Sequence, residues 1–350
     1  MSEKTPLESY VYGLASIMSV SGSERRCGEQ LKNLLMPLFD EYRLSPAGSH
    51  ILIKRCGEVN AHRLMIDTHF DEIGMMVTAI REKGFLSVTR VGGLDPRIMQ
   101  GSEIVIYGKC ELPGIICATP PHLMKKGEER KLTPIDDLLI DTGYSSEEAR
   151  ELIPVGSPVG FKPGILELKN RRIVSKGLDN KICTAAAVEA IRLLEQYKLG
   201  WDIYLVLAAG EETTKVGART AAFEIQPDAA LVLDVNLAHV PETKPYQTVK
   251  LGGGPAVSLS AVTSRSLTRA IVAFAKEKGL KYQTVVEIMR TGTDADIVPR
   301  AATGVPTAVI SIPLKNMHTS CEVVDMGDVE ETSELLARFI EGGLDKWIEE

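Results

Sequence analysis

Four short apolar runs, each followed by a cluster of ionisable residues, constrain this chain more than any other feature. RLMIDTH runs into FDE, YLVLAA into GEE, ALVL into Asp234, and AVISIP is followed by MHTSCE. Runs this short and this apolar read as strands buried on both faces, as in a parallel sheet. Helical spacing over Cys183 to Tyr197, Ser264 to Lys278 and Val329 to Ile348 alternates with strands at Ile203 to Ala209, Ala230 to Asp234 and Thr307 to Ile312. The alternation predicts an α/β fold with a mainly parallel sheet. In such sheets ligands bind outside the carboxyl ends of the strands, so the polar clusters are expected to converge on one site.

Other segments have different textures. From Leu7 to Tyr42 the apolar spacing predicts two helices parted by a turn at Ser21-Gly22-Ser23. Between Met75 and Ile173 the chain changes to β-rich runs such as MMVTAI, FLSVTRV, EIVIYG and LPGIICA, punctuated by glycine and proline. Within it, Lys131 to Leu152 reads as a charged loop leading to a helix that starts near Ser145-Ser146, with Glu147 and Glu148 in its first turn. A chain of 350 residues exceeds the usual size of one core. The simplest organisation is a discontinuous α/β domain, residues 1–74 and 174–350, interrupted by a small β-rich domain over residues 75–173.

Charge and composition remove several function classes. A net charge of -7 with acids and bases interspersed offers no basic stripe for phosphates, which excludes nucleic acid as the expected partner. No run approaches the roughly 18 apolar residues of a membrane span, and the acidic N-terminus does not read as a signal peptide. The six cysteines are widely spread, as expected of reduced thiols in a cytoplasmic protein. Gly252-Gly253-Gly254 reads as a turn, KKGEERK at 125–131 as a solvated loop, and His50, His62, His122 and His239 as surface or loop residues.

The candidate chemistry lies in His69, Asp179, Glu212, Asp234 and His318. Imidazoles and carboxylates without thiolates suit zinc, cobalt or manganese in a hydrolytic site. A carboxylate can bridge two cations, and Asp179 in KGLDNK is the best candidate for that place. Of the neighbours Glu211 and Glu212, one can bind metal while the other serves as a base. Asp71, two residues past His69, can accept the imidazole N–H and fix its tautomer. Each residue alone has an ordinary explanation. The glutamates suit a helix start, Asp179 suits an N-cap, Asp234 suits a turn, and either histidine suits a solvated loop. Their joint occurrence at strand ends favours one site.

The ordered segments HFDEIG, GLDNK, GEET…GA, LD and MHTSCEVV resemble those of the M42 metallo-aminopeptidases. GGLDPRIMQG, GTDADIVPRAATGVPTAVISIP and EVVDMGDVEET extend the resemblance over nearly the whole chain. It implies that His69 and Asp234 hold one metal, Glu212 and His318 the other, and Asp179 both. It makes Glu211 the general base, Asp71 the orienter of His69, and Thr293 and Asp294 substrate-pocket candidates. It further implies an inserted β-barrel-like dimerisation domain and a homo-oligomer of dimers forming a dodecamer. The expected activity is removal of N-terminal residues from peptides with a free N-terminus, using two divalent metal ions per subunit and a water activated by Glu211. A dinuclear deacylase or dipeptidase is the alternative, ahead of an endoglucanase-like hydrolase or a non-catalytic metal-stabilised assembly. The chain departs from the family pattern in two loops. EETTKVGA stands where the family pattern is EEVGLRGA, and VNLAHVPETKP after Asp234 lacks a TxAxDTPG-like sequence. Arg290 before GTDAD and Lys315 before His318 are read as solvated charges rather than as a basic pocket.

Overall fold

The computed structural model describes residues 4–123, 132–241 and 243–349; KKGEERK lies outside them. The chain opens with α1 (Pro6–Ser16) and α2 (Gly28–Leu35), then β1 (Glu41–Leu44), β2 (His50–Lys54) and β3 (His62–His69). Next come β4 (Gly74–Ile80), β5 (Leu86–Val91), β6 (Glu103–Tyr107), β7 (Glu111–Ile116), β8 (Leu139–Asp141), α3 (Ser146–Leu152) and β9 (Pro158–Phe161). After β10 (Leu166–Leu168) and β11 (Arg172–Ser175) follow α4 (Leu178–Leu194), β12 (Trp201–Ala208), α5 (Val216–Ile225), β13 (Ala229–Leu237) and β14 (Ala256–Ser260). The remainder is α6 (Arg265–Lys278), β15 (Gln283–Glu287), β16 (Thr307–Leu314), β17 (Glu322–Asp325), α7 (Met326–Gly342) and α8 (Leu344–Glu349).

Local chemistry sets several of these ends. Thr5 caps α1 in a capping box with Glu8, and Ser145 does the same for α3 with Glu148, where the sequence places that helix start. Ser264 caps α6, and Gly279 ends it in the left-handed conformation open to glycine. The single C-terminal helix expected over Val329 to Ile348 is divided into α7 and α8 at Gly342-Gly343. Helix α2 gives way to β1, so Tyr42 stands on a strand rather than in a helix.

Eight strands form one sheet in the order β1-β2-β12-β3-β13-β16-β14-β15. Its central members β12, β3, β13 and β16 are mutually parallel, as their apolar runs require. Apolar side chains of α1, α2, α4, α6 and α7 cover one face, while α5 covers part of the other. The expected β-rich insert is a closed antiparallel barrel, β4-β5-β8-β7-β6-β9, with its own core of Met75, Val77, Val88, Ile106 and Ile140 among others. His50 corrects the sequence reading: β2 lies between β1 and β12, so this histidine is fully buried. Its ring is held by the Tyr42 hydroxyl at 2.7 Å and the Glu24 carbonyl at 2.8 Å.

The chain leaves the α/β sheet for the barrel after β3 and returns before α4, and a buried charge cluster fastens these two passages. Glu72 accepts hydrogen bonds from Lys176 Nζ at 2.8 Å and Lys181 Nζ at 3.1 Å, and both ammoniums also reach the Ile17 carbonyl. All three side chains are buried. Burial would raise the Glu72 carboxyl, but the ammoniums of Lys176 and Lys181 pull it down to about 2. The depressed pKa contributes stability that is present above the ordinary carboxylate value and lost as pH falls toward 2. Glu72→Gln is expected to cost about 3–5 kcal/mol in urea unfolding, because it leaves two buried ammoniums without a counter-charge. A loss below about 1 kcal/mol would show that this cluster does not fasten the two passages.

Candidate active site

Parallel pairing delivers the polar residues to one edge. His69 ends β3 in register with Ala208 of β12, after which two residues lead to Glu211 and Glu212. The β3–β13 ladder runs to Asp67↔Val232, which puts Asp234 near the same level. Gly177, with φ of 61°, starts α4, and Asp179 has φ -75° and ψ 103°, outside the helical range. Asp179 is therefore no N-cap, and its carboxylate turns toward the strand ends. The Asp179–Asn180 peptide is cis. His318, also left-handed with φ of 61°, lies between β16 and β17.

The structure brings all five candidate ligands together, and Asp179 divides them into halves. Its Oδ1 lies 2.9 Å from His69 Nε2, which is 3.7 Å from Asp234 Oδ1. Its Oδ2 lies 3.5 Å from His318 Nε2, which is 3.2 Å from Glu212 Oε1. Donor atoms of His69, Asp179 and Glu212 all fall within 4.8 Å of one another.

Four further residues hold this set in place. His69 Nδ1 donates to the Asp71 backbone carbonyl at 3.0 Å, with the Asp71 carboxylate farther off at 3.7 Å. That carboxylate instead accepts the amides of Glu211 and Glu212 at 2.9 and 3.1 Å, so Asp71 orients the glutamate turn as well as the imidazole. Glu24 Oε1 accepts the Gly210 amide of the same turn at 3.0 Å. Glu322, left unassigned in the sequence, accepts the Asp179 amide at 3.0 Å and the His318 amide at 2.9 Å. The fourth, Gly93, comes from the barrel side: its carbonyl lies 3.3 Å from His318 Nδ1, and a Cβ there would stand 2.7 Å from that atom.

The site opens into a cavity of about 880 Å³. Leu237, Tyr246, Val286, Ile288 and Met289 form an apolar wall facing the ligands. Thr293 lines this cavity, whereas Asp294 does not. The Asp294 carboxyl is buried beside that of Asp67, so the sequence expectation of a pocket role is not matched by its position. Arg290 lines the cavity while remaining exposed, and Lys315 lies outside the lining. Of the histidines read as peripheral, His122 and His239 are exposed, and His62 is half exposed beside Asp228.

The electrostatics of this donor set fit a cation site. Burial and the neighbouring Asp179 and Glu211 carboxylates hold Asp234 well above the usual carboxyl range. Burial and Asp179 raise Glu212. Burial would lower His69, but the carboxylates of Asp179, Asp234 and Glu211 hold it well above its ordinary value. Hydrogen bonds to Asp179 and Glu212 push His318 up to about 11. Carboxyls raised by burial and by one another, beside imidazoles raised by those carboxyls, describe a pocket dominated by negative charge. Divalent cations would offset that charge.

Paired imidazoles and carboxylates at the carboxyl ends of a parallel sheet define a metal-dependent hydrolase site. A family model described as M42 glutamyl aminopeptidase matches residues 48–335, and the chain belongs to that family of metal-dependent peptidases. Lysyl aminopeptidase of Pyrococcus furiosus is 32% identical over 312 residues, covering 85% of this chain and 88% of that one. The TET aminopeptidase of a marine-sediment Thaumarchaeota archaeon superposes with a TM-score of 0.91 at 28% identity, over 98% of each chain. The Pyrococcus horikoshii TET1 peptidase, described as assembling into a tetrahedron or a large octahedral shell, gives a TM-score of 0.84 at 29% identity, over 96% of this chain and 99% of that one.

Two outcomes follow from this geometry. Cation binding must displace protons from His69 and His318, so affinity is expected to rise with pH, about tenfold per unit for each proton displaced. Zinc or cobalt titrations between about pH 6 and 8 check this, and a flat profile would contradict it. Gly93→Ala is expected to push His318 aside and weaken metal affinity about 10–100-fold in a chelator competition, as for other groups that orient a ligand. Unchanged affinity would show that the barrel does not constrain His318.

Proposed function

We propose that this protein is an aminopeptidase that removes N-terminal residues from peptides with a free N-terminus, using two divalent cations. The observation that carries this reading is the division of Asp179 between the His69–Asp234 half and the His318–Glu212 half. His69 and Asp234 would hold one ion, Glu212 and His318 the second, and Asp179 both; zinc, cobalt and manganese all suit these donors. When bound, such a pair lowers the pKa of a water and polarises a scissile carbonyl.

Glu211 belongs to neither half and lines the same cavity, which suits it to take the proton of the attacking water and deliver it to the leaving amine. Asp71 keeps Glu211 and Glu212 in fixed relation through their amides. The apolar cavity wall and the peptidase relatives favour this over the endoglucanase-like reading, since glycoside hydrolysis normally needs two carboxyls free of metal flanking the bond. We further assign residues 75–173 as a barrel domain that dimerises a cytoplasmic homo-oligomer, with the TET assemblies as support for dimers that build a dodecamer.

The test is release of N-terminal residues from a panel of aminoacyl p-nitroanilides with added zinc, cobalt or manganese. Wild type is expected to cleave some members while refusing the N-acetylated forms, and Glu211→Gln is expected to lower kcat about 10²–10⁴-fold with metal content unchanged. Cleavage of the N-acetylated forms would indicate the deacylase alternative. Release from no panel member, or full activity of Glu211→Gln, would overturn the reading.

A further inference from the structure

We infer that Lys215 is a positioning residue that straps the Glu211 carboxylate to the loop at Gly292 and so fixes which of its oxygens faces the substrate. The inference rests on the reading of Glu211 as the base. Lys215 has a left-handed backbone, φ 57° and ψ 19°, at the start of α5. The turn before it closes on the Gly210 carbonyl, which accepts the Thr214 amide at 2.8 Å and the Lys215 amide at 2.6 Å. This geometry folds the lysine side chain back over the turn toward Glu211. Its ammonium donates to Glu211 Oε1 and, at 2.6 Å, to the Gly292 carbonyl.

A solvated i,i+4 ion pair contributes little and fixes nothing. Lys215 differs in two respects. Its side chain is only 23% exposed and that of Glu211 only 9%, so solvent screens the pair weakly. Its second acceptor lies 77 residues away in the chain, in the segment Arg290 to Thr293 that lines the same cavity. Gly292, with φ of 80°, presents its carbonyl to the Lys215 ammonium. The ammonium therefore engages one oxygen of Glu211 and ties it to that segment. No hydrogen bond among the described residues engages Oε2, which remains for the proton transfer.

The test uses the full-length, metal-replete protein with Lys215→Met, Glu211→Gln and the double variant, assayed on one aminoacyl p-nitroanilide cleaved by the wild type. Lys215→Met is expected to lower kcat about tenfold with KM within about twofold. Its metal content is expected to be unchanged, and adding it to Glu211→Gln is expected to cause no further loss, because a residue acting only through Glu211 has nothing left to position. Full kcat in Lys215→Met, an equal loss in the Glu211→Gln background, or a fall in metal content would each overturn the inference. If Glu211→Gln itself keeps full activity, the base assignment fails first. If Glu211→Gln is impaired while Lys215→Met is not, the inference about Lys215 alone fails.

Discussion

The concentration of buried carboxylates at the carboxyl ends of β3, β12 and β13 is the constraint around which the structure is organised. Asp71, Asp179, Glu212, Asp234 and Glu322 all lie within this region and are largely shielded from water. Unpaired charges there would each cost several kcal/mol. The protein meets this demand in two ways. Asp71 and Glu322 each accept two backbone amides, which satisfies them without any cation. Asp179, Glu212 and Asp234 face the cavity and share two imidazoles, with Asp234 also accepting the Val235 amide at 2.8 Å. The first pair holds the frame, and the remaining three carboxylates line the cavity.

That division explains why the barrel sits where it does. The chain departs for the barrel just after HFDEIG and returns just before KGLDNK, so both ends of the excursion border the site. Glu72, Lys176 and Lys181 lock these ends together in a dry cluster. Gly93 then brings barrel backbone against His318, at a distance only glycine permits. Two elements far apart in topology are thus referenced to the same ligands. A shift of the barrel would be felt first at His318, the most exposed of the five candidates at 33%.

Much of this was legible in the sequence because strand ends advertise themselves. The apolar runs RLMIDTH, YLVLAA and ALVL identify central parallel strands, and the residues following them are the ones that converge. Other features depend on partners distant in the chain. His50 reads as an ordinary loop residue because its burial comes from β2 pairing with β12, about 150 residues later. The Asp71 carboxylate is expected at the imidazole beside it, yet it stands 3.7 Å from that ring and instead binds amides 140 and 141 residues away. Glu322 stands in the quoted motif MHTSCE, but its role in joining Asp179 to His318 requires the closing of β17 against β11.

The two loops that depart from the family pattern are where sequence comparison alone would place a weakened site, and their contacts argue against that. Thr213 bonds the Ser21 hydroxyl at 3.0 Å, which docks the glutamate turn on the Ser21-Gly22-Ser23 turn near the N-terminus. Lys215 secures Glu211, and the Gly210 carbonyl closes the turn between them. In the second loop Asn236 donates to Glu287 Oε1 at 3.1 Å and ties the end of β13 to β15. The Ala238 and Val249 segments then bridge to return the chain to β14. Each departing loop makes polar contacts of its own, to the N-terminal turn in the first and to β15 in the second. The altered residues therefore leave the glutamate turn anchored, through Thr213 to Ser21 and through its own amides to Asp71.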